Sequence, residues 1–197
     1  MAPNELLRPV ETTAHHQHCA SMHSGRLAWE RLLTDVGSDG FMITLGFRIH
    51  MDRARAVEVA NHFLLRVNRR LFGKRFSRHG QSLVGAAVLE HKHHSTRSSH
   101  SPHFHFVVSA ESFSKFVLSE GRLRSIVEHE AGRLCYPTLN YRQSLGALVS
   151  GPDFVDVTKI ESPDRLANYL TKGCSEFGSV SEALNIGFFG VNGIQGI

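Results

Sequence analysis

At 197 residues the chain is long enough for one domain with its own core and too short for a multidomain machine. Its 41% hydrophobic and 20% charged residues exclude wholesale disorder, and a formal charge of +4 with a pI near 9.2 admits a polyanionic partner without requiring one. No run of about 18 apolar residues occurs, so no transmembrane helix is expected. The first residues, MAPNELLRPVE, lack the apolar stretch of a secretory signal. A cytoplasmic protein without membrane association is the expectation. Cys19, Cys135 and Cys174 are far apart and form no CxxC pair, which argues for reduced thiols over a zinc ribbon or a disulfide framework.

Residues 1–24 mix Pro, Ser, Thr and four histidines without periodicity and read as a flexible arm. From Gly25, the spacing of Leu27, Trp29, Leu32, Leu33 and Val36 predicts a short amphipathic helix that stops in the turn Gly37 to Gly40. Phe41 to Ile49 is aromatic and β-branched, as a buried strand should be. Asp52 is placed to cap a long helix whose apolar stripe runs through Ala56, Val59, Ala60, Phe63, Leu64 and Val67. Leu83 to His91 and His103 to Ala110 predict an antiparallel hairpin with a long polar loop. Ser112 is placed to open a third helix, interrupted at Gly121, and residues 137–152 show no regular pattern.

Phe154 to Ile160 alternates as a half-buried strand, and Ser162-Pro163 starts a last helix that Gly173 ends. The glycines of GFFGVNGIQGI argue against a long regular element, leaving a packed extension or a disordered end. This order predicts an α+β fold with helices on a largely antiparallel sheet. Its expected parts are a 1–24 arm, a 25–175 domain and a 176–197 C-terminal extension.

Six of the 14 histidines fall between positions 91 and 105. Strand alternation in PHFHFVVS puts His103 and His105 on one face and Phe104 and Phe106 on the other. Two imidazoles one pleat apart can share a divalent ion, and Glu90, near the end of the expected partner strand, can add a carboxylate. Two nitrogens and one oxygen with positions left open suit Mg²⁺ or Mn²⁺ at a phosphodiester and also tolerate Zn²⁺. A plainer reading of HxH is a polar pair on a solvent-facing strand. Tyr169 and Lys172 are three residues apart and share a helix face, so both can act on one substrate, although a packed tyrosine beside a snorkelling lysine has the same spacing. Between Arg53 and Arg78 there are eight basic residues against one acid, Glu58. Arg66, Arg69, Arg70, Lys74 and Arg75 are therefore candidate DNA phosphate contacts, the plainer reading being a solvated helix face.

The order of these motifs resembles the HUH endonuclease superfamily and, within it, the rolling-circle replication initiators of plasmids and phages. FMITLGF resembles their first motif, with Gly46 in place of a polar residue. Glu90 with PHFHFVV resembles the metal-binding second motif, and YLTK the third. The resemblance spans Phe41 to Gly173. It implies an RRM-like βαββαβ core with Glu90, His103 and His105 as metal ligands. It further implies that Tyr169 attacks single-stranded or hairpin DNA, with Lys172 positioning the phosphate or assisting the leaving oxygen. The activity implied is metal-dependent nicking and joining through a 5'-phosphotyrosine, which initiates rolling-circle replication. No GxxxxGK[ST] loop occurs, so a host helicase would unwind and a host polymerase would extend the 3'-OH. Tyr169 after the histidines disfavours a relaxase, and Gly173 disfavours an IS200-type transposase. The alternatives are a non-catalytic DNA-binding regulator on the same scaffold, a transposase-like HUH protein of a mobile element, and a metal-dependent hydrolase in which Tyr169 is structural.

Overall fold

The computed structural model describes residues 26–47, 52–90, 103–114, 118–137, 148–150, 154–171 and 186–196. Helix α1 covers residues 26–37, and β1 (Phe41–Gly46) follows it. Next come α2 (Arg53–Phe72), β2 (Gly85–Glu90), β3 (His103–Val108), α3 (Glu120–Gly132), β4 (Cys135–Pro137) and β5 (Leu148–Ser150). The chain continues through β6 (Phe154–Lys159), α4 (Pro163–Thr171), β7 (Ile186–Gly190) and β8 (Gly193–Gln195).

Six strands form one open antiparallel sheet in the order β6-β1-β3-β2-β7-β8, while β4 and β5 pair apart from it. The central strand β3 lies between β1 and β2, so α2 connects two strands that are not neighbours. In the same way α3 leads from β3 to β6 with β1 between them. The core is thus two interlocked split β-α-β units.

Each sheet face follows from residue parity. Ile43, Leu45, Ala87, Leu89, Phe104, Phe106 and Val157 pack against Val59, Phe63 and Val67 of α2 and Leu123 and Val127 of α3. Phe104 and Phe106 stack at 5.4 Å, and Phe106 meets Phe63 and Phe189 at 6.0 and 5.6 Å. On the opposite face, Ala86, Val88 and Val107 pack with Leu33 of α1 and with Ala167 and Leu170 of α4. The sheet is therefore covered on both sides, and any group that has to meet a large ligand must lie where this second cover ends.

Local chemistry fixes the helix starts. Asp52 accepts from Arg55 N at 2.8 Å, a cap of the kind that contributes about 1 kcal/mol. Ser119, not Ser112, caps α3, accepting from Arg122 N at 3.3 Å. Ser112 lies in a 3₁₀ turn over Ala110–Phe113 that Ser109 caps, and its hydroxyl donates to Val84 O at 3.3 Å. The helix expected from Ser112 is thus a 3₁₀ turn followed later by a separate α-helix. Part of the 137–152 region also differs from expectation, since it supplies the β4–β5 pair.

Residues 186–195 join the sheet, as the packed alternative for the tail allows. Strand β7 pairs with β2, and Asn61 of α2 accepts from Ile194 N of β8 at 2.7 Å. Gly193 has φ +80°, which lets the β7–β8 chain reverse in a turn a side chain would strain. Among the described residues no helix is long and apolar enough to cross a membrane.

Candidate metal centre

Two cross-strand rows at one end of the sheet build the site. Phe154, Gly46, His103 and Glu90 are aligned across β6, β1, β3 and β2, and one pleat away Asp156, Thr44, His105 and Val88 form the next row. Side chains two apart on a strand share a face, so His103, His105 and Glu90 project on the α1/α4 side while Phe104 and Leu89 enter the opposite core. This confirms the alternation read from PHFHFVV. It also supplies the partner-strand register that brings Glu90 beside the histidines.

Glu90 Oε2 lies 2.6 Å from His103 Nε2 and 3.4 Å from His105 Nε2, and the two imidazoles meet edge to face at 4.9 Å. One ligand atom from each residue falls within 4.8 Å of the others, so the three can converge on one metal ion. Hydrogen bonds from His103 and then His105 hold the Glu90 carboxyl well below its usual range, against the opposing effect of burial. The carboxylate is accordingly ionised and its oxygens are acceptors. Nitrogen and oxygen donors together fit a divalent cation and do not specify which one.

Thr44 supports the centre from β1. Its Oγ1 is 3.1 Å from His105 Nδ1, and both residues are buried. When a cation takes the place of the His105–Glu90 hydrogen bond, the tautomer whose Nδ1–H donates to Thr44 leaves the Nε2 lone pair for that cation. The threonine was legible only as part of FMITLGF. Its partner is set by the β1–β3 register, which places Thr44 opposite His105.

Helix α4 brings the tyrosine to the same place. It begins beyond the far end of β6 and runs back over the sheet, burying Ala167, Leu170 and Thr171. Tyr169 is left 46% exposed, with its ring 6.0 Å from that of His105 and nearly perpendicular to it. Thr171 helps to fix this turn by donating to Glu30 of α1 at 3.0 Å and to Ala167 O at 2.9 Å. Lys172 lies outside the described residues, as do the arm at 1–24 and the whole polar loop between β2 and β3.

The basic residues are not gathered at this centre. Helix α2 packs on the other face and runs away from the Glu90–His103 end for about 30 Å at 1.5 Å per residue. Arg69, Arg70, Lys74 and Arg75 are exposed at or beyond its C-terminal end. Arg66 faces inward, where it pairs with Glu130 of α3 at 2.7 Å. Its sequence spacing gave no sign of that partner. Around the β6 edge, Arg124 of α3 reaches Asp156 at 2.7 Å and also donates to Val157 O.

No family model, curated protein or solved structure matches this chain.

Proposed function

We propose that the protein is a metal-dependent DNA nickase of the HUH type, which cuts and rejoins single-stranded or hairpin DNA through a covalent tyrosine link. The observation that carries this reading is the placement of the exposed Tyr169 ring against His105, on the sheet face that bears the Glu90-His103-His105 group. The strand order supports it, because two interlocked split β-α-β units are the connectivity of the RRM-like core that the resemblance implies.

Glu90, His103 and His105 would hold Mg²⁺ or Mn²⁺, which when bound would polarise a phosphodiester and offset its charge. The phenolic oxygen of Tyr169 attacks phosphorus. A P–O bond to tyrosine forms, the P–O3' bond breaks, and the phenolic proton is passed on as the leaving oxygen acquires one. The products are a 5'-phosphotyrosine and a free 3'-OH. Because one phosphodiester replaces another, the reverse reaction can rejoin the strand without ATP. A free 3'-OH suits priming by a host polymerase, and rolling-circle initiation on a plasmid or phage-like element is the role we assign. Lys172, immediately after α4, is assigned to the phosphate or the leaving oxygen.

The far-face placement of Arg69, Arg70, Lys74 and Arg75 gives them a supporting role at most, on duplex or hairpin arms that wrap beyond the cleavage point. Incubating the protein with a random pool of single-stranded oligonucleotides and Mn²⁺ tests the activity. A protein–DNA adduct stable in denaturant is expected. A shifted band without an adduct indicates a binding regulator, and free 5'-phosphate ends indicate a hydrolase that activates water.

A further inference from the structure

We infer that Phe154 is a stacking subsite for the nucleobase adjoining the phosphate at the metal centre, an assignment that rests on the nickase reading. The phenyl ring belongs to the first residue of an edge strand and is 47% exposed, whereas Phe104 and Phe106 in the sheet core are fully buried. It lies across the sheet surface toward His103, with ring centroids 6.2 Å apart and planes at 52°.

Gly46 makes this position available. It stands between Phe154 and His103 in the cross-strand row, and a Cβ there would overlap the Phe154 ring. The glycine at this point of FMITLGF therefore has a physical consequence. An aromatic face replaces the side chain that a strand would otherwise display beside the metal ligands.

Among the described residues the ring belongs to neither apolar cluster of the fold. The ligand it suits is planar, apolar on its face and attached to an anion that the neighbouring cation would hold. A nucleobase of a single strand has this chemistry, and stacking on an aromatic side chain is tolerant of base identity. The subsite would orient the strand so that the adjoining phosphate meets Tyr169, leaving sequence discrimination to other contacts.

The test uses the full chain with Tyr169→Phe, so that no strand is cut during equilibrium binding. Adding Phe154→Ala should weaken binding of a random single-stranded oligonucleotide pool by roughly 5- to 100-fold, the usual range for removing one stacking platform. Phe154→Trp should bind at least as tightly as the parent. Gly46→Val, which displaces the ring, should reproduce the loss. Mn²⁺ affinity should be the same in all of these proteins. Unchanged oligonucleotide binding in Phe154→Ala overturns the subsite, as does a parallel fall in Mn²⁺ affinity, which would mark Phe154 as part of the metal centre's framework. If the subsite alone is wrong, the unmutated protein still forms its adduct. If that protein neither forms an adduct nor binds the pool, the nickase reading fails and takes the subsite with it.

Discussion

Thr44 Oγ1 stands 3.1 Å from His105 Nδ1, so a hydroxyl on one strand orients an imidazole on the next toward Glu90. This contact predicts that Thr44→Val lowers Mn²⁺ affinity by roughly 10- to 100-fold, the usual effect of losing a partner behind a metal-bound histidine. Thr44→Ser should restore most of it. Isothermal titration of folded variants makes the comparison, and equal affinities for Val and Thr would remove the orienting role.

The candidate metal centre carries a stronger prediction. His103→Ala combined with His105→Ala removes two of the three donors and should abolish measurable Mn²⁺ binding and metal-dependent nicking together. The unmutated protein should likewise stop nicking in EDTA and recover when Mn²⁺ is added. Cleavage that persists in EDTA would place the chemistry elsewhere.

Arg66 and Arg69 are three positions apart on α2 but have opposite surroundings. Glu130, the partner of Arg66, is only 7% exposed, so Arg66→Ala leaves this buried carboxylate with only the more distant His129 Nε2 at 3.8 Å and should cost about 3 kcal/mol of stability. Arg69 is exposed, and Arg69→Ala should stay within about 0.5 kcal/mol of the parent in urea unfolding. Equal midpoints for the two variants would contradict the inward orientation of Arg66.

A pH dependence follows from Asp156. The Thr158 hydroxyl and then Arg124 hold its carboxyl below the usual range, and partial burial opposes them only in part. A lowered folded-state pKa adds stability above the ordinary value of 3.8 that disappears as pH falls through the folded value. Asp156→Asn should therefore be less stable than the parent at neutral pH, by no more than about 1 kcal/mol for so exposed a pair. The difference should close below pH 3.8 in acid titrations of the urea midpoint.

What could be read from the sequence was whatever depends on neighbours along the chain. Alternation at period two separated His103 and His105 from Phe104 and Phe106, and the hairpin between β2 and β3 brought Glu90 into reach. Contacts between strands distant in sequence were not legible. Thr44 and Phe154 join the site only because β1 lies between β3 and β6, an order no local pattern encodes. Arg66 resembled its exposed neighbours because its partner is on α3. The glycines of the tail concealed β7 and β8, since Gly193 marks the turn of a hairpin rather than the end of regular structure.

The proposed nickase reaction joins Tyr169 covalently to DNA. Mass spectrometry of proteolysed adducts, formed from single-stranded oligonucleotides with Mn²⁺, should find the nucleotide on the peptide containing Tyr169. No adduct should form with Tyr169→Phe, while oligonucleotide binding stays within about two-fold, as expected when only a transition-state contact is lost. An undiminished adduct in that variant, or linkage to a different residue, would contradict the account.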